Sequence, residues 1–343
     1  MPQDMLREMW LGLKRFWGLR WLVKGPILVG VAGLIVVLLF ALRAGGLSEA
    51  DEHYNRGVGL GAEGRYEEAI AEYDKVIELE PEFPDAHNNR GIAYAIIGQY
   101  EKAIADFDKA IESDPEDAAR YANRANARRH LGDFDLALAD AEKALELDPA
   151  LASGYVSRAN IYVDSGQHEK AVTDFDKAIE LDRREVEAYY GRGLAHLALG
   201  EYEAAVADFD SAIELDHTDP DAYNNRGLAY LNLGEYERAI SDFDTVLQLE
   251  PRVTPNIHAI AYQNRGNAHG YLEEYDEAIA DLDKAIDWDP ANPAAYGLRG
   301  LAYSKFGDSV RAIADLEKAL SLYSDPSAKA RIQQLIDEIS PQR

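Results

Sequence analysis

Cysteine is absent from all 343 residues, which removes disulfides, thiolate metal sites and a cysteine nucleophile together. The compartment stays open, since a cysteine-free chain tolerates either redox environment. Positive charge is scarce: 35 Lys and Arg stand against 62 Asp and Glu, a formal net charge of −27. The deficit is uneven. Residues 1–49 hold six basic side chains and three acidic ones, so the remainder carries −30. A body this acidic repels phosphate backbones, and no nucleic-acid partner is expected. No G-x-S-x-G, H-E-x-x-H or Walker A motif occurs either. No enzymatic activity, cofactor or small-molecule substrate is therefore expected. The paired acids of D-F-D-K-A-I fall in helical patterns without a ligating loop, so no metal is expected.

Long hydrophobic runs are also lacking, with one exception. Residues 26–42 read PILVGVAGLIVVLLFAL without a charge. At 1.5 Å per residue a helix of that length reaches about 26 Å, near the short end for a bilayer core. The expectation is a transmembrane helix over 26–43, with a soluble core helix as the alternative. Residues 1–25 place Trp10, Trp17 and Trp21 among Arg7, Lys14, Arg15, Arg20 and Lys24. Indoles favour the headgroup region and basic side chains snorkel to anionic lipid, so this segment reads as interfacial. A cleaved secretory signal competes; Ser48-Glu49-Ala50 has a small-x-small form, but the run is longer than a usual signal core. Basic residues before the span keep the N-terminus cytoplasmic in either case. The expected location is the cell membrane, single-pass, with residues 44–49 as a short linker and the acidic body extracytoplasmic.

From residue 50 the chain repeats itself. Arg56, Arg90, Arg124, Arg158, Arg192 and Arg226 are 34 residues apart; Arg265 follows after 39 and Arg299 after 34. The eight copies are 50–83, 84–117, 118–151, 152–185, 186–219, 220–253, 259–292 and 293–326, with an insertion at 254–258. Each reads as two helices. In 220–253, Tyr223, Gly227 and Tyr230 form one stripe. Gly234 suits a C-cap, Ala239, Phe243 and Val246 form a second stripe, and Pro251 ends it. The residue after each arginine is small: Gly57, Gly91, Ala125, Ala159, Gly193, Gly227, Gly266, Gly300. The matching slot of each second helix is alanine. Two small residues face to face allow close antiparallel packing.

Period, small–small pair, aromatic slots and closing proline together resemble the tetratricopeptide repeat, over residues 50–326. Departures are local: Arg183, His217 and Ser324 replace the proline, Ala141 replaces the second-helix aromatic, and Glu273 replaces the turn glycine. The resemblance implies an all-α fold, a right-handed α-solenoid of eight helix pairs. It implies a capping helix within 327–343 and a concave groove that holds peptides or partner proteins.

The family commonly has an apolar residue where the eight arginines stand. Sixteen residues after each comes an acid: Glu72, Asp106, Asp140, Asp174, Asp208, Asp242, Asp281, Asp315. A second acid follows two residues later. The expectation is a bidentate arginine contact to the first acid, in its own or an adjacent repeat, making a structural ionic ladder. The functional alternative is an anion-binding stripe. Asn55, Asn89, Asn123, Asn225 and Asn264 precede arginines on a slot that faces the groove in the resembling family, where they would bond a peptide backbone or simply meet solvent. Asn126, Arg129 and His130 complete the candidate groove residues. His130 follows Arg128 and Arg129, a short basic patch that docks an acidic segment or is a solvated face. His53, His87, His168, His196 and His269 occupy aromatic packing slots. One subclass of the family clamps a C-terminal carboxylate with lysines and asparagines; no lysine stands two residues before any of the eight arginines, which disfavours that mode.

The expected function is a membrane-anchored protein–protein interaction scaffold that binds peptide segments or partner proteins in the groove and organises membrane complexes. Two alternatives are a component of a transport or secretion machine and a cleaved, secreted binding protein.

Overall fold

The computed structural model describes residues 47–249 and 255–340. The interfacial segment 1–25, the apolar run 26–43 and the first part of the linker lie outside the described residues. Among the described residues no helix is long and apolar enough to cross a membrane.

Every regular element among the described residues is a helix, seventeen in all. The chain divides into two compact units between Ala86 and His87. In the first, α1 (Glu49–Ala62) packs on α2 (Tyr66–Leu79). Ser48 starts α1 with a capping box: its hydroxyl accepts from the Asp51 N–H at 3.0 Å, and the Asp51 carboxylate accepts from the Ser48 N–H at 3.1 Å. Ala50, Val76 and Ala86 form the core there, beside Tyr54 and Phe83. The division falls inside the first turn of α3 (Pro84–Ile96).

The second unit continues with α4 (Tyr100–Ser113), α5 (Ala118–His130), α6 (Phe134–Leu147), α7 (Ala152–Asp164) and α8 (His168–Leu181). Then come α9 (Val186–Leu199), α10 (Tyr202–Leu215), α11 (Pro220–Leu233) and α12 (Tyr236–Gln248). The last five are α13 (Pro255–Tyr271), α14 (Tyr275–Trp288), α15 (Pro293–Phe306), α16 (Ser309–Leu322) and α17 (Pro326–Ile339). From α4 onward each helix packs on the next, and from α5 to α15 odd-numbered helices also touch one another: α5 with α7, α7 with α9, and so on. Layers of antiparallel pairs result, with the odd helices side by side.

Local chemistry sets this pattern. Seven glycines in the turns within pairs take positive φ, Gly234 at 79° among them, a conformation that costs other residues. Glu273 takes the same conformation without being glycine, φ 63°. The alanine slot, Ala69, Ala103, Ala137, Ala171, Ala205, Ala239, Ala278 and Ala312, is completely buried in every pair. Glycine in the odd helix receives the aromatic ring of the even one: a Cβ on Gly227 would lie 2.7 Å from the Phe243 ring. In the seventh and eighth pairs Leu282 and Leu316 take the ring's place, and in the third pair only Ala141 stands there. Its space is taken from the next odd helix by Ile161, 2% exposed and packed with Ala125, Ala137 and Ala141. The corresponding residue is Ala93, Ala127, Ala195, Ala229, Ala268 or Ala302 in six other pairs. Volume lost on one helix is thus regained on its neighbour.

Two further features position the groove face. Arg120, 3% exposed, donates to the carbonyls of Ala110 at 2.9 Å and Asp114 at 3.3 Å, closing the C-terminus of α4. The insertion expected at 254–258 falls largely within α13, which has 17 residues where α15 has 14.

Candidate functional site

The arginines and acids come together through their own pairs. Arg226 donates from Nε to Asp242 at 2.9 Å and from Nη2 at 2.6 Å, a two-point fork. Arg90–Asp106, Arg124–Asp140, Arg158–Asp174, Arg265–Asp281 and Arg299–Asp315 share that fork, and Arg192 grips Asp208 through the same two nitrogens. Arg56 reaches Glu72 through Nε alone at 2.9 Å. The third guanidinium nitrogen goes elsewhere. Nη1 of Arg124 donates to Asp108 at 2.6 Å, and Nη1 of Arg226 to Asp210 at 2.6 Å. Arg192–Asp176, Arg265–Asp244 and Arg299–Asp283 repeat it. These are the second acids of the preceding pair, so one arginine staples two layers. Sequence reasoning noticed that acid series but gave it no role. Its signal was the Asp-x-Asp spacing, which sets one carboxylate inward and the other toward the next layer.

The ladder is shielded yet not dry: the Arg226 side chain is 18% exposed and Asp242 7%. Burial pushes the Asp242 carboxyl up from the ordinary aspartate value, while hydrogen bonds from Arg226 pull it back. The Asp242 bonds in turn hold the Arg226 guanidinium above its usual value. Tyr223, one turn before, lies beneath the guanidinium at 5.4 Å. In the first two pairs histidine replaces that tyrosine and bonds the acid directly: His53 Nδ1 to Glu72 at 2.6 Å, His87 Nδ1 to Asp106 at 3.2 Å. The arginines are thus engaged by carboxylates, which leaves little for an anion-binding stripe.

The candidate asparagines divide into two groups. Asn123 donates to Asn88 at 3.0 Å, Asn225 to the Tyr190 hydroxyl at 3.0 Å, and Asn264 to Asn224 at 3.3 Å. Each bond joins neighbouring odd helices, so these amide NH₂ groups tie the groove face together. Asn89 accepts from Asn88 at 3.2 Å, and Asn55 is exposed. Asn126 differs: it makes no hydrogen bond among the described residues, and its Oδ1 is buried.

The basic patch of α5 is largely neutralised. Arg128 donates to Asp140 at 2.8 Å, and Arg129 to Asp164 of α7 at 2.6 Å. A second Arg129 nitrogen lies 3.1 Å from His130 Nε2. Arginine can only donate, so this imidazole nitrogen accepts and the ring is neutral. Desolvation, then the Arg129 charge, lowers the His130 pKa below its ordinary value. The ring stacks on Tyr100, centroids 4.6 Å apart and planes 6° from parallel.

These residues border a cleft of about 360 Å³ between α3, α4 and α5, lined by Ile92, Ile96, Tyr100, Asn123, Asn126 and His130 over Phe107. A second cleft, about 290 Å³, lies between α13, α14 and α15. It matches the first slot for slot: Asn267 for Ile92, Tyr271 for Ile96, Tyr275 for Tyr100, Leu298 for Asn123, Leu301 for Asn126, Lys305 for His130. Ile96 and Tyr271, at 53% and 56% exposure, are large apolar side chains open to solvent. One motif match has no place here: Gly59-x-Gly61-x-x-Gly64 has the spacing of a dinucleotide fingerprint, but it ends α1 rather than opening a helix after a strand.

Layered helix pairs with clefts on the odd-helix face define a helical repeat protein. The models described as TPR repeat match residues 62–97, 159–200, 197–234 and 266–307, and those described as tetratricopeptide repeat match 84–117, 118–151, 220–253 and 293–326. The chain belongs to the tetratricopeptide repeat family. Among solved structures, the APC/C hetero-tetramer Cut9–Hcn1 aligns over 88% of this chain with 20% identity and a TM-score of 0.65, and the chain spans 58% of that chain's length. A tetratricopeptide repeat protein from Parabacteroides merdae aligns over 75% of this chain and 98% of its own, with 23% identity and a TM-score of 0.53. The human IFIT1 dimer with PPP-AAAA aligns over 85% of this chain and 78% of its own, with 19% identity and a TM-score of 0.59. At these identities the likeness is one of fold. No curated protein matches the sequence.

Proposed function

We propose that the chain is an interaction scaffold that binds an extended segment of a partner protein along its odd-helix face. The observation that carries this reading is the pair of equivalent clefts, bordered by the exposed apolar side chains Ile92 and Ile96 in one and Tyr271 and Leu301 in the other. Unfilled apolar concavities with a few polar groups are the ordinary form of a recognition site. Family membership supports the same reading, since tetratricopeptide repeat proteins bind peptides or proteins. An RNA-type ligand such as that in the IFIT1 structure is disfavoured here by the charge of −30 beyond residue 49. The proposal includes anchoring through residues 26–43, with the repeats extracytoplasmic, on the strength of the apolar run and its basic flank. Tethering would raise the effective concentration for clients in the same membrane. No catalytic step belongs to this reading.

The test is selection of random-sequence displayed peptides on the full chain. Enriched peptides should lose about tenfold or more in affinity on Ile96→Glu or Tyr271→Glu, because a carboxylate then replaces an apolar contact. Ile96 is open to solvent, so Ile96→Glu should leave helix content and melting unchanged; Tyr271→Glu also gives up the ring stack on Tyr236, so its affinity loss is read beside its own melting point. No enrichment, or enriched peptides indifferent to both substitutions, would overturn the proposal.

A further inference from the structure

The two clefts share their architecture but differ in charge. Neutral His130 borders the α3–α5 cleft, and Lys305 holds the same slot in the α13–α15 cleft. On the odd helices from α5 to α15 every arginine has a carboxylate within ion-pair distance. Lys305 is the one lysine on those helices, and it has neither an ion pair nor a hydrogen bond among the described residues. Acids are few on the same helices. They amount to Asp164, Glu187 and Asp221, and α13 and α15 have none.

The repeat serves as its own control. No other pair has Lys or Arg at the Lys305 slot. Across the turn from Lys305, Val310 lies in the first turn of α16 and is 82% exposed. The other seven pairs have Asp or Glu at the Val310 slot, Glu237 and Asp276 among them. An acid in the first turn of a helix complements its dipole, so valine gives up a small stabilisation and removes one negative charge. Asp308, inside the turn, is held by Arg311 at 2.6 Å. Two departures from the pattern thus flank one turn, and both make it more positive. The cleft beside it is lined by Leu282, Leu298 and Leu301, the last 37% exposed. Leu301 and Lys305 are about 6 Å apart along the helix. In an extended chain, side chains two residues apart face the same way at about 7 Å. A segment that sets an apolar side chain against Leu301 therefore brings the side chain two positions away to Lys305.

We infer that the α13–α15 cleft binds a stretch of the partner with an apolar side chain and, two residues from it, an aspartate or glutamate. The apolar side chain enters among Leu282, Leu298 and Leu301, and the carboxylate accepts from Lys305 Nζ. A lone lysine is a compact point charge suited to one carboxylate, whereas phosphoryl groups are recognised by clusters of arginine, and the arginines of this face are already paired. The α3–α5 cleft has no free cation and sets no such requirement. This inference rests on the groove reading above and gives the chemistry of one stretch of the occupant.

The experiment sorts peptides selected on the full chain by whether Leu301→Ala weakens them. Those that need Leu301 should carry Asp or Glu two positions from an apolar residue. Lys305→Gln should weaken them about threefold to fivefold at low ionic strength, and Lys305→Glu about tenfold or more, with added salt shrinking both differences. Reselection on Lys305→Glu should exchange the acid for Lys or Arg at the same position. Lys305 is exposed, so both variants should melt with the parent. Amidating the peptide C-terminus should leave affinity unchanged; a need for the free terminus would overturn the side-chain assignment. If binding needs Ile96 but no peptide needs Leu301, the inference fails while the groove reading stands. The same holds if Leu301-dependent peptides lack the acid or keep their preference for it on Lys305→Glu. If no peptide is enriched at all, both fail.

Discussion

Arg226 shows what one residue does in this molecule. It forks onto Asp242 of its own pair and reaches back to Asp210 of the preceding one. Arg226→Leu should strand Asp242, 7% exposed, and cost about 3–5 kcal/mol. Asp210 is 46% exposed and rehydrates. Adding Asp242→Leu should therefore return stability nearly to that of the parent, and urea midpoints of the single and double variants check it. A single variant as stable as the parent would show that the fork holds nothing. Glu72 gives the ladder a pH dependence. Hydrogen bonds from Lys75 first, then His53 and Arg56, hold its carboxyl down at about 2. A depressed carboxyl supports the fold above its ordinary value near 4.5 and loses that support as pH falls toward 2. Glu72→Gln should flatten the acid limb of unfolding in that window, read by helix ellipticity against pH.

At the scale of the helix, the compensation between Ala141 and Ile161 is the sharpest test of packing. Ile161→Ala should open a cavity with no ring to fill it and cost about 2–5 kcal/mol. Ala141→Phe alone should crowd Ile161. The two together recreate the arrangement of the other pairs and should recover most of the loss, which thermal melts of the three variants would show. The turn before α14 offers the opposite sign: Glu273→Gly should stabilise by about 0.5–1 kcal/mol, since glycine takes φ 63° freely. Much at this scale was legible in the sequence. The 34-residue period, the small–small pair and the turn glycines depend on neighbours in the same repeat, so a one-dimensional pattern carries them. The Ala141–Ile161 exchange and the Arg120 cap were not, because each joins residues of different pairs with no repeated spacing to betray it.

For the molecule as a whole, the anchoring proposed for residues 26–43, with the repeats extracytoplasmic, has a direct test. Ser153 is exposed on α7 and the chain has no cysteine of its own, so Ser153→Cys gives a single reporter thiol. Labelling of intact cells by an impermeant maleimide, on full-mass protein in the membrane fraction, is the expected outcome. Labelling only after lysis would reverse the orientation and move the search for clients inside. The candidate site was legible in the sequence only as a face. The order of slots told which asparagines look one way, but not that three of them spend their NH₂ groups on the next helix while Asn126 does not.

The stapling arginines carry one more consequence. Each of the five that reach back, Arg124, Arg192, Arg226, Arg265 and Arg299, is shared between two carboxylates, so a layer joined this way keeps one negative charge over. Acidity then grows in step with the number of layers, as in a polyelectrolyte whose charge is fixed by its monomer. This part of the −30 beyond residue 49 need not have been selected for any ligand; it follows from how the layers are joined. Copies of the protein should repel one another at low ionic strength and draw a counterion cloud, and salt should relax both effects without touching the forks that produce them.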